Sequence, residues 1–574
     1  MNKRWGFLIF ILFLVFATAA HADVKEPAGP SDVLIVSGTI SNTHGKGIKD
    51  AEVSFSVNGK KVESSSEVAT SRAGQFKAEI TLPRDTLPNA RVELEVDKPC
   101  FKNSGPLVLD KVVKEQNAQD GNVYYLAHKN LKLERTTTPA FWIATLVLIA
   151  VYVLIAFEWM HRTLAAFLGA ALLLTITYTA GTFNHDYSIL SYEDAIHAID
   201  MNVIFLLMAM MIIVGVLKKT GVFQWMAYKS YQTTRGNVFA LAATLMFITA
   251  VVSAFLDNVT TMLLIIPITI EIAVTLKIDP VALLIPEAFA SNIGGTATLI
   301  GDPPNIMIGS YAKLSFVDFV QNLTLVNVIA LAVAIVYFIY WHKKDYLSAK
   351  VENVQELIER LREEYKITNK TLLTQAAVIL AITILMFILH GALKMEPSIA
   401  ALIGAAILMT ISRIDIVEML EREIEWPTLI FFIMLFIVVA AAEETGLIQI
   451  IADWVRDVSK GSLVIAVLVI LWVSAIASAF IDNIPFTATM LPIVAYLTTA
   501  IPGAQNGILW WSLALGACLG GNGTMIGASA NVVTVGMAER AGYNISFMHY
   551  MKTAFVPMLI SVVICSFWLL LVEM

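Results

Sequence analysis

The sequence predicts an all-α polytopic membrane protein with inverted repeats, each of five transmembrane helices plus one re-entrant hairpin, and an N-terminal extracytoplasmic β-sandwich. Three observations carry this. The 574 residues are 57% hydrophobic and only 15% charged, with a mean hydropathy of +0.72, which places most of the chain in lipid. The stretch SAFLDNVTTMLLIIPI from Ser253 returns as SAFIDNIPFTATMLPIV from Ser478. Residues 23–137 are unlike the rest, with short apolar or alternating runs between Gly, Asn, Asp and Pro turns.

Residues 1–22 carry Lys3 and Arg4, an apolar run from Trp5 to Phe16, and Ala20-His21-Ala22. That order is the signature of a secretory signal peptide cleaved before Asp23. An uncleaved first helix would leave residue 23 on the same outer side. The runs Val33–Ile40, Ala51–Val57, Gln75–Leu82 and Arg91–Val96 are the strands of the predicted sandwich. SGTISNTHGKGIKDAEVSF followed by TSRAGQF resembles the carboxypeptidase regulatory-like, transthyretin-type β-sandwich, which implies a stabilising or docking cap rather than a catalytic domain. Cys100, Cys518 and Cys565 make neither a disulfide framework nor a zinc pattern. The nine histidines show no metal-ligand spacing.

A hydrocarbon core of about 30 Å needs roughly 20 apolar residues per helix. Spans are expected near 139–158, 162–182, 201–218, 282–312, 323–341, 371–390, 396–412, 427–443, 509–537 and 553–572. The stretches 237–275 and 462–500 hold a polar point and a Pro at mid-length, so they read as re-entrant hairpins. With residue 138 outside, the loop Glu158 to Arg162, then Lys218, Lys219, Lys229, Arg235 and the loops 342–370 and 540–552 fall inside. The acidic loop 186–200 and Glu443 to Asp453 fall outside, as the positive-inside rule asks. Residues 138–341 form repeat 1, 342–370 a cytoplasmic linker and 371–574 repeat 2. Within the linker, Leu357, Ile358 and Leu361 mark one face of an amphipathic helix.

The duplication is detailed. Asp482 follows Asp257 by 225 residues, and Gly446 follows Gly221 by the same 225. TLAAFLGAALLLTI from Thr163 matches SIAALIGAAILMTI from Ser398, and NIGGTATLIGDPPN from Asn292 matches CLGGNGTMIGASAN from Cys518. An odd number of crossings per repeat inverts the second half, and inverted repeats bind their cargo near the midplane where broken helices meet.

A charge in hydrocarbon costs about 3 kcal/mol at a helix centre, so Asp257 and Asp482 mark functional points. The tips contribute Asp257, Asn258 and Thr260, and Asp482, Asn483 and Thr487. The Gly-rich and Gly-Asp-Pro-Pro segments break their helices and contribute Asn292, Gly294, Gly295, Thr298, Asp302 and Asn305 in one half. Gly520, Gly521, Asn522, Thr524 and Asn531 do so in the other. Carboxylate, amide and hydroxyl oxygens with freed carbonyls suit a hard cation, with sodium expected at Asp257, Asn258, Asp482 and Asn483. The alternative for the aspartates is simple helix capping, and for Asn305 and Asn531 satisfaction of freed backbone. Glu271 and Glu287 read equally as proton carriers or as backbone partners.

These blocks resemble the ion transporter superfamily, in its ArsB/NhaD permease branch with a citrate-transporter-like domain, across nearly all of 139–574. The resemblance implies a homodimeric, elevator-type secondary transporter in the plasma membrane, bacterial inner membrane or archaeal equivalent, with its N-terminal domain outside. Sodium-coupled dicarboxylate carriers of that superfamily have Ser-Asn-Thr at the tips, where this chain has Asp257-Asn258-Val259 and Asp482-Asn483-Ile484. Three acids, Asp302 included, with no matching Lys or Arg favour a cation, a proton or a neutral species over a bare multivalent anion. Sodium/proton antiport follows most simply and is the expected function, with Na⁺ and/or H⁺ as coupling ions and no other cofactor. The partners are membrane lipid and a small ion or solute, with no nucleic acid. An ion-coupled anion or arsenite permease is the second reading. A channel, which would conduct without saturating, is a third. An intramembrane aspartyl protease is remote, because the chain reads Leu299-Ile300-Gly301-Asp302 and duplicates the wrong acid.

Overall fold

The computed structural model describes residues 31–573 apart from 43–44, 46, 63–67, 72, 89, 111, 117–121, 350–358, 360 and 364. The expected signal peptide, Leu357 and Ile358 lie outside the described residues. The chain divides into two compact units, Met1–Thr138 and Pro139–Met574.

Among the described residues of the first unit, ten strands form two five-stranded sheets. The long strand β1 (Ser31–Asn42) pairs antiparallel with β5 (Gln75–Pro83) and parallel with β9 (Val123–His128) and β10 (Leu131–Leu133). In the second sheet β2 (Glu52–Val57) lies antiparallel to β6 (Val92–Asp97). Alternation does the folding: Phe76, Ala78 and Ile80 of β5 are buried and the residues between them are exposed. They share one core with Val36, Ile40, Phe55 and Leu94. The four expected strands are present; β9 and β10 escaped the sequence reading because VYYLAH and LKL are short and do not alternate cleanly.

Among the described residues of the second unit, helices of ten residues or more number eighteen, nine in each half. The first half has α1 (Pro139–Ala156), α2 (Arg162–Tyr178), α3 (Met201–Lys218), α4 (Val222–Thr234), α5 (Val238–Ser253), α6 (Asn258–Thr275), α7 (Val281–Thr296), α8 (Pro303–Ala312) and α9 (Phe316–Trp341). The second has α10 (Lys370–Leu393), α11 (Pro397–Ser412), α12 (Trp426–Thr445), α13 (Leu447–Ser459), α14 (Leu463–Phe480), α15 (Asn483–Ala500), α16 (Ile508–Gly520), α17 (Ser529–Arg540) and α18 (Phe547–Trp568). Among the described residues nine helices are long and apolar enough to cross a membrane.

Packing repeats between the halves. Helix α5 packs on α7 as α14 packs on α16, and α6 meets α17 as α15 meets α8. Helix α2 lies on α12 as α11 lies on α3. The glycines explain the closest of these contacts. A Cβ on Gly294 would stand 2.0 Å from the Ala250 carbonyl oxygen, and one on Gly520 2.4 Å from that of Ala475. Gly221 (φ 75°) and Gly446 (φ 101°) take the left-handed conformation that lets the chain leave α3 and α12 and re-enter a helix at once. The expected breaks occur where the sequence puts them, between Thr296 and Pro303 and between Gly520 and Ser529. Pro267 and Pro492, by contrast, sit inside continuous helices, so the turns fall at the Asp-Asn pairs and not at the prolines.

Candidate functional site

The two tips are built alike. Asp257 precedes α6, and its Oδ1 accepts from Thr260 N at 3.0 Å while Oδ2 accepts from Thr260 Oγ1 at 2.5 Å. Asp482 precedes α15, and its Oδ1 accepts from Ile484 N at 3.0 Å. Both aspartates therefore cap a helix, and each has a second oxygen that takes a side-chain partner, Thr260 Oγ1 in the case of Asp257. There they differ: Asp482 Oδ2 accepts from Ser529 Oγ at 3.2 Å and stands 3.5 Å from Arg162 Nη1.

The amides at the tips converge on one acid. Asn258 Nδ2 donates to Asp302 Oδ1 at 3.2 Å and to Asn292 Oδ1 at 3.1 Å. Asn483 Nδ2, from the other half, lies 3.4 and 3.3 Å from the two oxygens of Asp302. Asn292 Nδ2 continues the chain to Asn522 Oδ1 at 2.9 Å and Asn531 Oδ1 at 3.0 Å. All of these side chains are buried. Asn522 Nδ2 is left without a partner among the described residues, so the centre holds polar capacity that the protein itself does not fill.

The broken helices satisfy their own backbone. Asn305 Nδ2 donates to the carbonyls of Thr298 at 2.8 Å and Thr296 at 3.0 Å, and Asn531 Nδ2 to those of Gly521 at 2.8 Å and Thr524 at 2.9 Å. Thr298 Oγ1 donates to the Ala254 carbonyl as Thr524 Oγ1 does to that of Ala479, tying each break to the turn beside it. Thr487 Oγ1 is committed to the Asn483 carbonyl of its own helix at 2.7 Å. Gly294 and Gly520 serve the close helix contact, and Gly295 and Gly521 do the same against the carbonyls of Gly301 and Gly527.

A cavity of about 20 Å³ opens between these elements, lined by Arg162, Asp257, Asn258, Asp302, Glu425, Asn483 and Ser529 among others. That is room for one water or one bare ion. Among the described residues no group of three or more His, Cys, Asp or Glu is placed to hold a metal ion, so any cation here would rely on amides and hydroxyls as well. Glu287 lies apart, with Oε1 accepting from Thr269 Oγ1 at 2.9 Å and Oε2 unpartnered among the described residues. Glu271 accepts from the Tyr365 hydroxyl.

The expectation of acids without a matching cation is corrected. Arg162 Nη1 donates to Ser529 Oγ at 2.5 Å, Nη2 donates to Thr428 Oγ1 at 3.2 Å, and the guanidinium lies 5.4 Å from the Phe431 ring centre. Sequence reading counted Arg162 among the positive-inside loop residues. The signal that could have found it is the repeat alignment, in which the residue before Thr163 is arginine and the residue before Ser398 is Pro397. Glu425, Thr428 and Ser529 were likewise missed; Glu425 sits 225 residues after Asp200, an acid at the start of α3.

Comparisons with known proteins agree on the class. The citrate transporter (CitMHS) family model matches residues 152–516. An uncharacterized transporter of Mycobacterium bovis is 40% identical over 431 residues, covering 74% of this chain and 97% of its own length. The P protein of Sus scrofa is 35% identical over 525 residues, covering 78% of this chain and 61% of that protein. The P protein of Homo sapiens is 34% identical, with the same coverage. Among solved structures, the Alcanivorax borkumensis YdaH transporter aligns over 71% of this chain and 98% of its own, at 14% identity and a TM-score of 0.51, a likeness of fold. With more than half its length matched by the family model and relatives at this identity, the chain belongs to the citrate transporter family and is a multi-pass membrane transporter, not an enzyme.

Proposed function

We propose that this transporter is a sodium/proton antiporter of elevator type, working through one midplane site between inverted repeats. The observation that carries the reading is the small acid-lined cavity: Asp257, Asp302 and Glu425 line a space of about 20 Å³, which admits an ion and excludes a citrate-sized anion in this conformation. A carboxylate there holds either Na⁺ or H⁺, so the two compete and exchange follows. The inverted arrangement draws support from the matched packing pairs of the two halves and from the odd number of crossings expected in each. Residues 138–341 and 371–574 are the repeats, 342–370 the linker, and 23–137 an extracytoplasmic domain of sandwich type. In the elevator reading α5–α8 and α14–α17 move together, because they pack on one another across the halves. A homodimer in the plasma membrane completes the proposal.

Arg162 favours a second reading. A guanidinium at the cavity wall is suited to a carboxylate or oxyanion, and the family fits an ion-coupled anion permease. Purified protein in proteoliposomes with an internal pH dye separates the two. Antiport predicts saturable, sodium-dependent proton movement with no solute present. Sodium-independent proton silence together with saturable citrate or arsenite uptake would replace the antiport reading with the permease.

A further inference from the structure

Among the described residues, Arg162 is the one cation lining a cavity whose other charged lining residues, Asp257, Asp302 and Glu425, are acids. It starts α2, a helix that lies on α12 and is joined to it by the Thr163 hydroxyl donating to the Pro427 carbonyl at 2.7 Å. Its guanidinium reaches across to Asp482 before α15 and to Ser529 at the start of α17. It therefore joins the pair α2 and α12 to helices at the tip and the break of the second half. The ion pair is shielded, with side-chain exposures of 22% for Arg162 and 10% for Asp482, so leaving either partner without the other costs more than it would at the surface. Nothing equivalent reaches the tip of the first half: the residue aligned with Arg162 is Pro397, at the start of α11, and among the described residues no ion pair reaches Asp257.

A cation entering a space of about 20 Å³ beside a guanidinium meets a like charge at close range, and shares with it the same acids. Two like unit charges in adjacent positions repel strongly at the effective dielectric of a protein's outer layers. The cavity cannot hold both comfortably. We propose that Arg162 is an occupancy latch: by pairing with Asp482 and Ser529 it takes the place of the cargo cation, and a bound Na⁺ displaces it. Displacement breaks the link from α2 and α12 to α15 and α17, so those two helices become free to shift only when the site is filled. The latch is a positioning and gating device and rests on the antiport reading above.

The test is Na⁺ binding to the detergent-solubilised protein by calorimetry at fixed pH, together with ²²Na⁺ exchange in proteoliposomes. Arg162→Gln removes the competitor, so Na⁺ binding tightens about tenfold, the equivalent of about 1.4 kcal/mol, and sodium leaks without counter-moving protons. Ser529→Ala removes one of the arginine's hydrogen bonds while keeping every charge, and shifts affinity the same way by about threefold, the size of a single hydrogen bond's loss. Arg162→Lys keeps the charge and stays near wild type in affinity. Unchanged or weakened Na⁺ binding in both Arg162→Gln and Ser529→Ala overturns the latch while leaving antiport intact. If the wild type binds no Na⁺ but takes up citrate, and Arg162→Gln abolishes that uptake without leak, the antiport reading itself has failed and Arg162 contacts an anion.

Discussion

Helices α5–α8 and α14–α17 are one construction made twice, and the places where the copies agree differ in kind from the places where they do not. Repeated residues look after the backbone. Gly294 and Gly520 admit a neighbouring helix, Thr298 and Thr524 tie a break to a turn, and Asn305 and Asn531 occupy freed carbonyls. The charge is copied only in part: Asp257 and Asp482 repeat, whereas Asp302 aligns with Ala528 and Arg162 with Pro397, and the central amide Asn292 aligns with Cys518. Two broken helices meeting in lipid each need their polar backbone satisfied, so those devices must occur in both. A pocket already lined by Asp257 and Glu425 takes one further acid from the breaks, Asp302, and another at position 528 would add to the repulsion.

The sharpest way to break this comparison is to neutralise the acids one at a time. Asp302→Asn and Asp257→Asn each lower sodium-driven proton flux by roughly a hundredfold or more, since each removes a charge the cargo would use. Thermal stability changes little for Asp257→Asn, because an asparagine still caps α6. Asp482→Asn behaves differently: it leaves the Arg162 guanidinium without its carboxylate and costs about 1–3 kcal/mol of stability. Flux in proteoliposomes and melting of the purified protein read the two effects. Equal flux loss and equal melting shifts for Asp257→Asn and Asp482→Asn would erase the distinction between the tips.

Glycine packing should be symmetric where the charge is not. Gly294→Ala and Gly520→Ala each force a methyl onto a carbonyl oxygen at 2.0 and 2.4 Å, costing about 1–3 kcal/mol. The two variants are expected to melt at similar, lowered temperatures, with flux reduced in step with the folded fraction. A stable Gly520→Ala beside a collapsed Gly294→Ala would show that the halves are not packed to the same tolerance.

Much of this frame was legible because it is written in rare residues. Prolines and glycines located the breaks, and Asp-Asn pairs in apolar runs located the turns, since lipid leaves few reasons for such residues. What could not be read was which polar groups would be used up. Asn305 and Asn531 stand in motifs that suit a ligand, yet they satisfy the carbonyls beside them. Thr487 points along its own helix, a choice that helix rotation decides and composition does not. Arg162 was hidden for the opposite reason: a cation at the start of an apolar helix has an adequate explanation in topology. Only the three-dimensional meeting of α2 with α15 and α17 gives it a second one.

Asn305→Ala and Asn531→Ala expose carbonyls in both breaks, at about 1–3 kcal/mol for the buried groups left unmatched. Asn305 serves the carbonyls of Thr296, Thr298 and, at 3.5 Å, Gly295, whereas Asn531 serves those of Gly521 and Thr524. Asn305→Ala is therefore expected to melt lower than Asn531→Ala, and both to lose part of their flux. The reverse order would mean that Asn531 owes its place to Asn292, to which it offers Oδ1, more than to the backbone.

The mildest change probes the side opposite Arg162. Asn202 of α3 donates from Nδ2 to Ser310 Oγ of α8 at 3.0 Å and accepts at Oδ1 from Ser398 N of α11 at 3.1 Å. It occupies the position aligned with Pro427, whose carbonyl joins α12 to α2. Here the link to a broken helix is neutral and part-buried, with no charge to sense a cation. Asn202→Ala is expected to change flux by no more than about fivefold, the worth of one or two ordinary hydrogen bonds, and to leave the sodium dependence of transport where it was. A sodium dependence that moved as far in Asn202→Ala as in Arg162→Gln would place occupancy sensing in the packing of α3 and α12 alike, and the charge of Arg162 would lose its special part.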